Sequence, residues 1–227
     1  MLPGMPQLEF LERQSGPSPV ASIIVLHGLG ADGNDFVPIA QELDLSAVGD
    51  VRFVFPHAPI RPVTINGGYR MRAWYDILGT ELTRREDEAG LRQSQADVQA
   101  LLEREAARGI PHARTVLMGF SQGCAMALLA GLRAPQRLAG LVGLSGYLPL
   151  ASHTPAERSA ANLDVPIFLA HGDDDPVVPL ARGSASRDAL VALGYPVEWN
   201  EYPMEHSVCA EEIEDLNAWL LRVLTKS

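Results

Sequence analysis

The sequence predicts an α/β protein with a mostly parallel central sheet flanked by helices on both faces. Three observations predict it. Short apolar, β-branched runs alternate with helix-spaced segments from end to end. The runs have no polar face, as strands covered on both sides require. No internal repeat, charge block or composition shift marks a linker, so a single domain over 1–227 is expected. At 227 residues, 47% of them hydrophobic and 20% charged, the chain is long enough for one sizeable core.

The elements follow in order. After a short opening segment, Gln7 to Arg13, the stretch Ser15-Gly-Pro-Ser-Pro19 is a turn. Val20 to His27 is an uninterrupted apolar strand ended by Gly28-Leu-Gly-Ala-Asp-Gly33. Asn34 or Asp35 caps a helix running to about Leu45, and Val51 to Phe55 is a second strand closed by Pro56. Pro56 to Thr80 is rich in Pro, Gly and aromatics and reads as a long irregular, functional loop. Leu91, Val98, Leu101 and Leu102 recur at helical spacing within an amphipathic helix from Asp87 to Arg108, stopped by Gly109 and Pro111. Thr115 to Phe120 is a buried strand, and the Ala- and Leu-rich stretch Gln122 to Arg133 a buried helix. Leu138 to Ser145 and Pro166 to His171 repeat the strand pattern, separated by a surface excursion, His153 to Asn162, with room for a short helix. Arg182 to Leu193 is helical up to Gly194, Val197 to Tyr202 alternates like a strand, and Ala210 to Val223 closes the chain with Ile213, Leu216, Leu220 and Val223/Leu224 on one face.

Charge and cysteine content exclude some functions. With 18 Lys and Arg against 28 Asp and Glu, the net charge of −10 argues against nucleic acid or an anionic membrane surface as partner. The apolar runs are far shorter than the roughly 20 residues of a membrane-spanning helix, so no integral membrane association is expected. Cys124 and Cys209 are too few for a disulfide scaffold and point to reduced thiols. Met1-Leu-Pro-Gly-Met-Pro-Gln7 has neither the basic start nor the apolar stretch of a secretory signal, so a cytoplasmic location is expected.

Gly119-Phe-Ser-Gln-Gly123 matches the G-x-S-x-G nucleophile elbow and lies directly between a strand and a helix, where that motif has to lie. Context separates it from a tight turn that merely contains serine. A neutral serine needs a base oriented by a carboxylate. His171-Gly-Asp-Asp-Asp-Pro-Val-Val-Pro179 and Met204-Glu-His-Ser207 each follow a strand, giving the chain order Ser, acid, His of α/β-hydrolases. Both segments reach the carboxyl ends of strands, where open α/β sheets bind ligands. Of six histidines, His112 precedes a strand, His153 lies in the excursion, and His27 and His171 end strands at His-Gly turns. His57 remains the rival to His206, which position favours. Among Asp173, Asp174 and Asp175 the residues alone do not choose. Their adjacency lacks the alternation of a Ca²⁺ loop, so no metal is expected. The oxyanion donors are the N–H of Gln122 and that of Leu29 in the Gly28-Leu-Gly30 turn. The bland reading of Cys124 and Cys209, small buried apolar side chains, is preferred to a nucleophilic role.

Leu26-His-Gly-Leu-Gly30, Arg61-Pro-Val-Thr-Ile-Asn-Gly-Gly-Tyr69, Trp74-Tyr-Asp-Ile77, Gly119-Phe-Ser-Gln-Gly123, the His171 to Pro179 segment and Tyr202-Pro-Met-Glu-His-Ser207 together resemble the carboxylesterase/acyl-protein thioesterase family, from about Val20 to the C-terminus. The resemblance implies a minimal α/β-hydrolase fold without a large cap domain, Asp175 as the acid, His206 as the base, Leu29 and Gln122 as oxyanion donors, and frequent homodimers. It also implies hydrolysis of short-chain esters, lysophospholipids or acyl thioesters. Cys124 stands where relatives commonly have a second Gly, crowding the start of the helix, and Glu205 replaces a frequent Gly beside His206.

The expected enzyme is therefore a serine carboxylesterase acting on short- to medium-chain esters through Ser121, His206 and Asp175, without a cofactor. The alternatives are an acyl-protein thioesterase or lysophospholipase using the same triad, a peptidase or lipase of the same fold, and a catalytically silent binding module. A small acyl ester is the expected partner. Ile65, Tyr69, Met71 and Trp74 are the expected wall of the acyl pocket, with core packing the competing role for Trp74.

Overall fold

The computed structural model describes residues 8–79 and 86–225. Nine strands and six α-helices are formed among them: β1 Phe10–Gln14, β2 Ala21–Leu26, α1 Val37–Glu42, β3 Val51–Pro56, β4 Ile60–Val63, β5 Tyr69–Arg72, α2 Glu88–Ala107, β6 Thr115–Phe120, α3 Gln122–Arg133, β7 Gly140–Leu144, α4 Thr154–Glu157, β8 Ile167–Gly172, α5 Leu180–Ala192, β9 Val197–Tyr202 and α6 Ala210–Thr225. Seven strands make one sheet in the order β1-β3-β2-β6-β7-β8-β9. All neighbours are parallel except β1, which runs antiparallel to β3 with Leu11 opposite Phe55.

The absence of a polar face in the central strands has the predicted cause. Every residue of β2, β3, β7 and β8 is buried. Alternate side chains serve two cores. Ile24, Leu26 and Leu117 pack with α2, α3 and α5, whereas Ile23, Val25, Met118 and Phe168 pack with α6 through Leu216, Trp219 and Leu220. Helix α3 lies in the first core and is buried on every side from Gln122 to Leu132, which is why its sequence carries no polar stripe. Helix α2 runs as expected, with the Asp87 side chain capping the Gly90 N–H (3.0 Å).

At the amino ends of the strands a charged hub joins α2 to the sheet. Glu105, fully buried, accepts from Arg52 Nη1 of β3 (3.0 Å) and Ser22 Oγ of β2 (3.1 Å), while Arg108 bridges it to Glu12 of β1. No sequence pattern signals this cluster, because its members lie up to 96 positions apart and hydrophobic periodicity does not register paired charges.

Four expectations need correction. The opening segment, of which Gln7 lies outside the described residues, ends in strand β1, a half-exposed edge too mixed in polarity to show a pattern. The helix expected after Asn34 or Asp35 is only α1, preceded by Phe36. Asn34 instead belongs to a turn in which Asp32 Oδ1 accepts its N–H (2.8 Å), and Pro38 sits in the first turn. The stretch from Pro56 to Thr80, whose last residue lies outside the described residues, is not irregular throughout. It folds into the β4/β5 hairpin around a 3₁₀ turn, Thr64–Asn66, with Val63 paired to Tyr69. Pro62 and the largely exposed faces of these four-residue strands conceal them from a periodicity reading. The excursion from His153 holds α4 and a 3₁₀ turn, but it is not purely superficial: the buried Asn162 side chain accepts from Leu138 N–H and donates to the carbonyls of Ala134 and Gln136.

Candidate active site

Ser121 stands between β6 and α3 with φ 56° and ψ −116°, a conformation that a side chain adopts only under constraint. The constraint is steric. A Cβ on Gly119 would lie 2.1 Å from the Gly123 carbonyl oxygen, and one on Gly123 would lie 2.0 Å from the Leu26 carbonyl oxygen. Only glycines allow the turn to close this tightly against β2. The Ser121 N–H donates to the Leu144 carbonyl (2.8 Å), so the turn is also fixed to β7.

Asp175 and His206 meet beyond the carboxyl ends of β8 and β9. His206 Nδ1 is 2.6 Å from Asp175 Oδ2, and the Asp175 side chain is fully buried. The other carboxylate oxygen accepts from the backbone N–H groups of Val177 and Val178, both at 2.8 Å. A carboxylate with its acceptor sites so used requires the Nδ1–H tautomer of His206, leaving Nε2 as proton acceptor. The imidazole also packs on Phe120, with ring centroids 4.8 Å apart. Of the three adjacent acids Asp175 is the one that meets His206: Asp173 and Asp174 are exposed, and they hold the loop only through backbone N–H groups donating to Tyr202 and Met204. Glu205, beside His206, is exposed as well.

The other histidines have structural partners. His57 Nδ1 accepts from the Gly33 N–H (3.0 Å). His171 is buried and donates to the Val178 carbonyl (2.7 Å). His27 accepts from the Ala58 N–H at Nε2 (3.0 Å) and donates from Nδ1 to the Gly28 carbonyl (2.7 Å). Burial pushes His27 down to about 4, so it serves as a neutral brace. His112 bonds Glu103, and His153 is exposed.

That brace continues into a network beneath the two expected oxyanion donors. The Gln122 side chain is buried. Its Oε1 accepts from the Trp74 N–H (2.7 Å) and its Nε2 donates to the Tyr75 carbonyl (2.8 Å), pairing with the chain as a neighbouring strand would. The Trp74 indole N–H donates to the His27 carbonyl (2.9 Å), and Ser94 Oγ–H to the Trp74 carbonyl. Gly30, with φ 78°, donates its N–H to the Arg72 carbonyl (2.9 Å). The Leu29 turn and the Gln122 elbow are therefore tied to one segment, Arg72 to Tyr75. Motif matching named Leu29 and Gln122 as expected donors but did not signal this scaffold, whose members are joined through backbone groups.

Leu29, Ser121 and Gln122 line one groove of about 360 Å³, completed by Ile65, Ile77, Tyr75, Tyr147, Val177, Val178, Pro179 and Arg182 among others. Of the four residues expected to wall it, Ile65 does so. Trp74 is fully buried behind the groove in the bracing network, Tyr69 is 70% exposed on the hairpin, and the Met71 sulfur sits over Gly30. The walls come instead from the strand-end segment around Val177, which follows Asp175, and from the first turn of α5. The amphipathic pattern did not mark either as lining.

Cys124 is buried, and burial pushes its thiol up to about 12, which fits a packing residue. Its volume is accommodated by Gly143 and Gly146, where an added Cβ would come within 2.7 Å and 2.4 Å of its atoms. Cys209 is half-buried against the second core. Among the described residues no group of three or more His, Cys, Asp or Glu is placed to hold a metal ion, and no helix is long and apolar enough to cross a membrane.

The comparisons with known proteins agree with this arrangement. The profile of the phospholipase/carboxylesterase family matches residues 12–224. The acyl-protein thioesterase 1 of Neurospora crassa is 43% identical over 216 residues, 91% of this chain and 88% of that protein. The acyl-protein thioesterase 1 of Mycosarcoma maydis is 41% identical over 226 residues, 93% of this chain and 94% of that protein. Among solved structures, acyl-protein thioesterase 2 of Zea mays superposes with a TM-score of 0.86 at 31% identity, covering 95% of this chain and 99% of its own. A nucleophile elbow on a seven-stranded, mostly parallel sheet, matched across nearly all its length by these relatives, is a hydrolase of ester or thioester bonds, and the chain belongs to the phospholipase/carboxylesterase family of α/β-hydrolases.

Proposed function

We propose that the chain hydrolyses acyl thioesters, including those on proteins, through a Ser121–His206–Asp175 triad, with carboxylic esters as secondary substrates. The observation that carries the reading is the 2.6 Å contact of His206 Nδ1 with a buried Asp175, on the same strand-end surface as the Ser121 elbow. The sequence reading put short- and medium-chain carboxylic esters first. The relatives named acyl-protein thioesterases, about 40% identical over nine-tenths of the chain, favour the thioester alternative.

In the reaction Ser121 Oγ attacks the acyl carbonyl while His206 Nε2 takes its proton, and Asp175 compensates the imidazolium that forms. The N–H groups of Leu29 and Gln122 receive the oxyanion. His206 then protonates the departing thiolate or alkoxide. Water, deprotonated by His206, releases the acid from the acyl-enzyme. The apolar groove beside Ser121 receives the acyl chain.

An S-acylated peptide, an acyl coenzyme A and a p-nitrophenyl ester of one chain length, compared by kcat/KM, test the preference. The thioester peptide is expected to lead, and an ester preference would return the reading to a carboxylesterase. Absence of fluorophosphonate labelling of wild type, or full activity in Ser121→Ala, would remove the triad. The reading includes one domain over 1–227, a cytoplasmic location, supported by the free thiols Cys124 and Cys209, and a homodimer. Limited proteolysis, cell fractionation and light scattering check these three.

A further inference from the structure

The groove beside Ser121 contains one charge that the reaction as proposed does not use. Arg182, in the first turn of α5, is the charged side chain among the groove's lining residues; the others near it are Val177, Pro179, Ala181 and Tyr147. Its guanidinium lies 3.3 Å over the Tyr147 ring, and the Tyr147 hydroxyl is 2.6 Å from that of Tyr75. Stacking fixes the plane of the fork and leaves its N–H donors pointing from the edge. Among the described residues those donors meet no carboxylate or carbonyl. Glu86, which lines an adjoining cavity of about 230 Å³ together with Arg182, directs Oε2 to the Leu150 N–H (3.0 Å) and is not ion-paired with it. What distinguishes Arg182 is its place: among the described residues it lines the apolar groove beside Ser121 with no acid paired to it.

The groove's occupant follows from the proton path. The leaving group departs towards His206, which protonates it, and His206 is not among the groove's lining residues. The groove therefore takes the acyl side. We propose that Arg182 is the anion-binding end of the acyl groove and that the enzyme prefers acyl groups ending in a carboxylate, the half-thioesters and half-esters of dicarboxylic acids. The inference rests on the Ser121–His206–Asp175 reading. A carboxylate in the fork gains paired, charge-assisted hydrogen bonds, which correspond to roughly 10- to 100-fold in kcat/KM when one such contact is made or lost.

The test uses the full chain with p-nitrophenyl half-esters of dicarboxylic acids of increasing length, each beside its methyl-capped, neutral counterpart. Wild type is expected to favour the anionic member at least tenfold at one chain length, and less so as salt is added. Arg182→Gln, checked for folding by circular dichroism and thermal melting, is expected to reduce the anionic-to-neutral ratio to about one or below, while Arg182→Lys retains part of it. A wild-type ratio of one or less at every length, or a ratio unchanged by Arg182→Gln, overturns the inference. If Ser121→Ala still hydrolyses both members, the triad reading fails instead, so the two failures are told apart.

Discussion

Asp175→Asn isolates the one contact on which the proposed chemistry depends. Asparagine keeps an oxygen where Asp175 Oδ1 accepts from the Val177 and Val178 N–H groups at 2.8 Å, so the loop keeps both backbone hydrogen bonds. In place of Oδ2, however, an NH₂ donor faces His206 Nδ1 across 2.6 Å. The imidazole relieves that clash of donors by moving its proton to Nε2, the nitrogen that has to accept from Ser121. The wrong tautomer and the lost countercharge together reduce kcat about 10⁴-fold, near 5.4 kcal/mol of transition-state stabilisation, with the melting temperature little changed. Asp175→Ala, by contrast, also strands the buried Val178 N–H and costs about 1–3 kcal/mol of stability. The assay is thioester turnover with an acyl peptide, normalised to folded protein by circular dichroism. Asp174→Asn is the control, since that exposed side chain holds nothing and its backbone N–H to Met204 (3.2 Å) is retained. A loss under tenfold in Asp175→Asn, or an equal loss in Asp174→Asn, would refute the assignment.

Three other outcomes follow from the geometry. Gly123→Ala sets a methyl 2.0 Å from the Leu26 carbonyl and is expected to cost about 3 kcal/mol or more in urea unfolding, whereas Gly28→Ala, with its nearest neighbour at 3.5 Å, folds normally. Trp74→Phe removes the indole N–H that holds the His27 carbonyl together with part of a fully buried ring; it is expected to lower kcat severalfold with KM unchanged and to cost about 2–3 kcal/mol, and an unaltered kcat would separate the bracing network from catalysis. Burial pushes Glu212 on α6 up to about 8 from 4.5, so the folded chain keeps a proton that the unfolded chain has released between those values, and stability falls as pH rises through that window. Glu212→Gln is expected to flatten that fall, which amounts to about 5 kcal/mol at most, and equal slopes for the two proteins in denaturant titrations at pH 5, 7 and 9 would contradict it.

The sequence disclosed the sheet and the three site segments because both rest on local signals. Strands buried on two faces are continuous apolar runs, and the elbow is a short motif with obligatory neighbours, so β6 and α3 fall where the pattern places them. The proposed acid was legible only as a cluster; the family resemblance pointed to Asp175 over its neighbours, and Asp175 is the one buried under the Val177 and Val178 N–H groups and in contact with His206. Other features were illegible. Strand β1 lies at an edge, and β4 and β5 pair only with one another, so none carries a periodic stripe. The Gln122 to Trp74 clamp spans 48 positions and uses backbone atoms, which have no sequence signature. Trp74 was expected at the groove because aromatics favour pockets, yet its indole N–H found a buried carbonyl and drew the ring into the core.

The contact of Gly123 with the Leu26 carbonyl bears on how such a site tolerates change. Two backbones touch there with no side chain between them, so the spacing between the nucleophile's helix and the strand that leads to the Leu29 turn has no soft component. Substitutions on the outer flanks of α3 alter how firmly the helix is held, yet they do not alter its closest approach to β2. The spacing between the start of α3 and the end of β2 is thus set by a mechanical stop that does not depend on the side chains of the surrounding core.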